Sequence, residues 1–130
     1  MTVTYVTTHI DQPAEVVGFY SLSAGGVDPA VAPSRVLRGV AKHSVPVVVL
    51  TRLAVSLAHQ DRGVGVGLLH DALHRVHAAA EQIGVRALLL HAKDDDARNF
   101  YLRHAEFEPS PIDDRQLFLL IKDLRRALER

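Results

Sequence analysis

"LAHQDRGVGVGLLHDALHRVHAAAEQIG", Leu57 to Gly84, carries three glycines at alternate positions (Gly63, Gly65, Gly67) and then continues as a strong helical pattern. Apolar residues recur at Leu69, Ala72, Leu73, Val76, Ala80 and Ile83, one stripe of a 3.6-residue period. Each glycine in a helix costs about 1 kcal/mol relative to alanine, so a cluster at a helix start needs a reason. Helix N-termini expose unpaired N–H groups and a partial positive charge, and they bind anions. Gly63 and Gly65 are read as clearing side chains from the approach of a phosphate, and Gly67 as serving close packing. Gly84 ends the helix in the C′ position.

The spacing excludes two common phosphate loops. A dinucleotide-binding turn has the pattern G-x-G-x-x-G with an acid about 20 residues later. Here the glycines alternate, and no acid follows at a strand end. A P-loop needs Gly-Lys-Ser/Thr, and no lysine follows any of the three glycines.

The flanking sequence predicts a mixed sheet with helices packed on it. Thr2–Thr8 and Val16–Gly25 read as a hairpin joined by the turn residues of "HIDQPAE". A loop with Pro29 and Pro33 follows, and a short helix is expected within "SRVLRGVAKHS". Val45–Val55 is almost wholly apolar, as in a strand covered on both faces. Val85–Ala92 reads as a second buried strand. "DDARNFYLRHA" is a helix capped by Asp94 or Asp95. "EFEPSP" turns the chain, Gln116–Lys122 is the last strand, and "DLRRALER" is a short tail helix. The order β-β-β-α-β-α-β predicts an α/β (α+β) class with one mixed sheet in a single domain over residues 1–130.

Composition narrows the chemistry. With no cysteine there is no disulfide, thiolate metal site or thiol nucleophile. No apolar run is long enough to span a bilayer and the start carries no signal peptide, so a cytoplasmic protein without a membrane partner is expected. Lysine plus arginine equal aspartate plus glutamate, 15 of each, yet no acid lies between Asp28 and Asp61. That segment holds Arg35, Arg38, Lys42 and Arg52, so a neutral total conceals a basic face. His70, His74 and His77 share a helical stripe, but the core face is already taken by leucine, alanine and valine. They are read as a boundary row, and no metal site is expected.

Gln60-Asp61-Arg62-Gly63-Val64-Gly65 resembles the [Gln/Arg]-x-x-Gly-x-[Gly/Ala] acyl-CoA loop of the GNAT acetyltransferase superfamily. "DDARNFYLRHAEFEP" is similar to that family's closing helix, with Ala97, Phe100 and Tyr101 in register. Further likenesses point to its toxin branch: "VPVVVLTRLAV", "GVRALLLHAKDD", the Lys93-Asp94-Asp95 step and the Pro109-Ser110-Pro111 turn. Members of that branch acetylate the α-amine of aminoacyl-tRNA and are restrained by a ribbon-helix-helix antitoxin. The sequence departs from the pattern in three ways. Asp94 stands where many relatives have asparagine, Ala105-Glu106 replaces a single glycine before Phe107, and the family's first strand and helices are expected to be lacking before Thr4.

The resemblance implies the GNAT fold, acetyl-CoA as co-substrate, and direct attack by an amine. It assigns the pantetheine arm to the backbone of Leu53, Ala54 and Val55, and the pyrophosphate to Gln60, Arg62, Gly63, Val64 and Gly65. Tyr101 is the implied general acid. If tRNA carries the acceptor, Arg35, Arg38, Lys42, Arg52, Lys93 and Arg98 are the candidate phosphate contacts. Candidate partners are aminoacyl-tRNA, an antitoxin and a second copy of the chain. Two other readings remain open: acetylation of a small amine or protein N-terminus, and a truncated domain that binds acetyl-CoA or an antitoxin without catalysis.

Overall fold

A computed structural model describes residues 2–38 and 44–129. The elements are β1 (Thr2–His9), β2 (Gln12–Val27), α1 (Ser34–Leu37), β3 (Val45–Val55), α2 (Val64–Ile83), β4 (Ala87–His91), α3 (Asp95–His104), β5 (Glu108–Ser110), β6 (Asp113–Leu120) and α4 (Ile121–Leu128). They build one sheet in the order β1-β2-β3-β4-β6-β5. Only β3 and β4 pair in parallel; every other ladder is antiparallel.

The mixed sheet matches expectation, with corrections at its margins. The first hairpin turns tightly at Ile10–Asp11, so β2 takes in most of the predicted turn. "EFEPSP" is not simply a turn: Glu108–Ser110 pairs with β6 as an edge strand, where Pro109 is tolerated. β6 starts three residues earlier than predicted and gives way at Ile121 to the tail helix.

Strand alternation fills two cores. Leu88 and Leu90 of β4, Val48 and Leu50 of β3, and Leu117 and Leu119 of β6 point to one face. The apolar stripe of α2, Tyr101 of α3 and Leu124 of α4 cover them. Val45, Val47, Ala87, Leu89, Phe118 and Leu120 point to the other face, where Val36 of α1 packs. β3 is apolar almost throughout because both its faces are covered.

The parallel ladder is short. It runs from Val47↔Ala87 to Leu50↔Leu90, whereas β3 continues to Val55 paired with β2 alone. Thr51 is an extra residue in that pairing, opposed by neither Ser21 nor Leu22, and this bulge lies where β3 and β4 part. Past it, one edge of β3 has no neighbouring strand among the described residues. Among the described residues no helix is long and apolar enough to cross a membrane.

Candidate active site

The glycine-rich turn enters α2 through left-handed backbone. Gly63 caps the helix with φ 81° and ψ 4°, two residues after Asp61 at φ 63°. No side chain caps this helix, and its first internal bond joins Gly67 N–H to the Gly63 carbonyl at 3.0 Å. The amides of Val64, Gly65 and Val66 therefore precede the ladder, as an anion-binding helix start requires.

The three glycines do different work. A side chain at Gly63 would meet nothing within 4 Å, so glycine is needed there for its φ and not for space. A methyl group at Gly65 would stand 3.7 Å from both Phe100 and Val55, against the groove wall. Gly67 faces open space, which corrects the expectation that it serves close packing. The other loop residues also separate. The Gln60 side-chain amide donates to the Val55 carbonyl at 3.2 Å and so ties the turn to the end of β3. Arg62 is exposed, and Val64 packs into the core.

Between α2 and α3 lies a groove of about 420 Å³, whose walls include Leu53, Ala54, Val55, Gln60, Gly63 and Gly65. A second cavity of about 310 Å³ opens where β3 and β4 part. Leu53, Ala54, Lys93, Ala97 and Tyr101 line both, so the two spaces adjoin beside the phenol. The Asp94 side chain caps α3 by accepting from Ala97 N–H at 2.8 Å, and this fixes the helix that presents Tyr101.

Tyr101 is 8 % exposed, edge-on to Phe100 and Phe107 with ring centroids 5.2 and 5.8 Å away. Burial pushes its hydroxyl up to about 12. The group therefore stays protonated across the physiological range, with its hydrogen available for donation.

Sequence reasoning missed Gly18 on β2. A Cβ there would come 2.8 Å from the Ala54 carbonyl and 2.9 Å from Leu68, so glycine is what lets β2 approach β3 at the cavity wall. It also missed His91, which lines the smaller cavity. The signal for His91 was present, as a polar residue closing the apolar run of β4.

The predicted basic face is split in two. Arg52 and Lys93 line the cavity at the parting strands. Arg98 lies on α3 with its Nε bonded to the Asp114 carbonyl at 2.7 Å. Arg35 and Arg38 sit at the opposite end of β3, around a separate cavity shared with Arg86, Lys122 and Arg125. Arg35 is engaged there, bonded to Glu108 and 3.1 Å from the buried Asp123 carboxylate. Lys42 lies outside the described residues. His70 and His74 stack edge-on at 4.7 Å, and Arg125 donates to His77 at 3.1 Å. Among the described residues no three histidine or carboxylate side chains gather as a metal set.

Residues 4–107 match the acetyltransferase (GNAT) family model. The chain is 52 % identical over 113 residues to a tRNA-acetylating toxin of Mycobacterium tuberculosis, an alignment covering 87 % of this chain and 67 % of that protein. The crystal structure of AtaTR bound with AcCoA superposes with a TM-score of 0.77 at 25 % identity, covering 95 % of this chain and 72 % of that one. AtaT complexed with acetyl-methionyl-tRNAfMet shares the fold with a TM-score of 0.84 at 24 % identity, over 95 % of this chain and 73 % of that one.

Proposed function

Since the chain belongs to the GNAT acetyltransferase family, we propose that it transfers the acetyl group of acetyl-CoA to the α-amine of aminoacyl-tRNA. It thereby blocks translation as the toxin of a toxin–antitoxin pair. The observation that carries the chemistry is the shared wall of the two cavities: the helix entry at Gly63 and Tyr101 line one groove, and Tyr101 lines the adjoining cavity as well. The choice of acceptor follows the 52 % identical tRNA-acetylating relative.

The residues divide the work. The free amides of Val64, Gly65 and Val66 hold the diphosphate, with the field of a 20-residue helix behind them. The unpaired edge of β3 at Leu53–Val55 hydrogen-bonds the pantetheine arm as an added strand and polarises the thioester carbonyl. Acetyl-CoA supplies the activated acyl group. Tyr101 faces the sulfur. Its hydroxyl, at about 12, is the weaker acid by roughly three and a half units against a thiol near 8.5. It therefore stabilises the leaving sulfur by donating a hydrogen bond, and passes a proton on only as the new amide nitrogen returns one.

Arg52 and Lys93 are placed to meet the phosphates at the acceptor end of tRNA, with Arg98 beside them. A ribbon-helix-helix antitoxin is the proposed inhibitor.

The test is acetyl-CoA consumption with aminoacyl-tRNA, uncharged tRNA, and free amines. Turnover only with aminoacyl-tRNA supports the reading. Turnover with free amines alone moves the protein to the small-molecule enzymes. Acetyl-CoA binding without turnover makes it a non-catalytic domain.

A further inference from the structure

Acetylation of an amine begins with the loss of the ammonium proton, and Tyr101, whose hydroxyl burial keeps protonated, cannot take it before the sulfur leaves. Tyr101 enters the smaller cavity from the sheet face covered by α2 and α3. A residue that can take the proton stands at the end of β4, on the wall of the same cavity. Along β4, Leu88, Leu90 and Ala92 pack toward α2 and α3, while Ala87 and Leu89 pack toward α1. By strand alternation His91 continues the second row. It emerges exposed at the point where β4 leaves β3, and it lines the same cavity as Tyr101.

His91 does not stand alone. Its Nε2 lies 3.0 Å from Asp113 Oδ2 on β6, and Asp113 Oδ1 accepts the Arg115 amide at 3.0 Å. A carboxylate can only accept, so Nε2 carries the hydrogen and Nδ1 keeps its lone pair. Among the described residues Nδ1 makes no other hydrogen bond. This is the arrangement of an oriented base: an imidazole positioned by an acid, on a residue that lines the cavity shared with Tyr101.

Resting on the acetyltransferase reading above, we infer that His91, positioned by Asp113, is the general base that deprotonates the acceptor amine. The acceptor ammonium gives one proton to His91 Nδ1, and the freed nitrogen forms the bond to the thioester carbon. The carbon–sulfur bond breaks and its electron pair leaves on sulfur, which takes the Tyr101 proton. The nitrogen, now an amide, returns its surplus proton to Tyr101, and His91 releases the first proton to solvent. Asp113 is the positioning residue. The charged groups around His91 are Asp113 from β6, 3.0 Å away, and Arg52 from β3 and Lys93 beyond β4, which line the same cavity. Gln116, opposite His91 in the β6 register, is neutral. Arg52 and Lys93 disfavour the ammonium form of an amine entering the cavity.

The experiment is a pH profile of kcat/KM from pH 5.5 to 9.5 for wild type, His91→Ala and Asp113→Asn. It uses whichever amine of a panel (aminoacyl-tRNA, aminoacyl ester, diamine) wild type acetylates fastest. Beside it runs an NMR titration of the His91 ring and calorimetric acetyl-CoA binding. Expected are a loss of a hundredfold or more at pH 7 in His91→Ala, partial rescue by added imidazole, and unchanged acetyl-CoA binding. In Asp113→Asn the His91 titration and the acid limb of the profile should move down in pH together. Wild-type-like rates in His91→Ala, or an acid limb that ignores the NMR shift, overturn the inference. A wild type that prefers a free amine overturns the tRNA reading while leaving His91 under test, and turnover with no amine sinks both.

Discussion

Gly65 on α2 lies against Phe100 on α3: a methyl group on its α-carbon would touch the tip of that ring at 3.7 Å and Val55 at the same distance. The glycine loop and the aromatic helix, far apart in sequence, thus form facing walls of one groove. An ordinary van der Waals contact is what Gly65→Ala would make. That variant should fold at least as stably as wild type and keep acetyl-CoA affinity within a fewfold. Gly65→Leu would fill the groove and abolish binding; isothermal calorimetry on both variants checks the pair.

Gly63 and Gly67 should respond in opposite directions to alanine. At Gly63 the left-handed φ of 81° makes any side chain costly by about 1–2 kcal/mol although nothing obstructs it. Gly67→Ala faces open space within the helix and should stabilise by roughly 0.5–1 kcal/mol. Urea unfolding of the two variants reads the signs directly. Acetyl-CoA affinity should fall only in Gly63→Ala.

Tyr101→Phe should lower kcat by about a hundredfold or more and leave acetyl-CoA affinity nearly intact, because it removes a donor used as the sulfur leaves. Equal losses in rate and affinity would mean that the phenol only packs against Phe100 and Phe107.

The same residue makes an alkaline prediction. Its folded value, about 12, lies above the 10 of an exposed phenol. Its contribution to stability is therefore whole below pH 10 and is lost as pH rises toward 12. Relative to Tyr101→Phe, wild type should lose roughly 2–3 kcal/mol over that interval in urea unfolding. Burial and its bond to Asp71 also raise Tyr20, which acts with the same sign in both proteins and cancels in the comparison.

Charge reversal should separate the two basic clusters. Arg52→Glu with Lys93→Glu should weaken tRNA binding and flatten its salt dependence. Arg35 is unsuited to such a test. It is paired with Glu108 and with the fully buried Asp123, so Arg35→Ala leaves that carboxylate only the more distant Arg126, at 3.8 Å, and should cost about 3 kcal/mol of stability. Thermal unfolding distinguishes this loss from a binding defect.

Much of the site could be read from the chain because its signals are local. The helix N-terminus at Gly63, the capping Asp94 and the aromatic pair at Phe100 and Tyr101 each declare themselves within a few residues. β5 was missed because three residues around a proline carry no strand periodicity; only pairing with β6 makes Glu108–Ser110 a strand. Gly18 gave no signal either, since its need comes from the Ala54 carbonyl and the Leu68 side chain, neither of them near it in sequence. Arg35, Arg38 and Arg52 share one acid-free segment of the chain, but nearness in sequence is not nearness in space. Residues 45–51 of β3 run between Arg52 and the other two.

By itself the sequence determined the helices, the two-sided burial of β3 and β4, and a glycine-rich start to α2, because apolar period and backbone preference are properties of neighbouring residues. Tertiary structure alone decided where the parallel ladder stops, and hence that a free edge of β3 stands beside Tyr101. It also decided that His91 meets Asp113 across the sheet. Those relations depend on strand register and on which side chains share a face, and both are fixed only when the whole sheet packs against its helices.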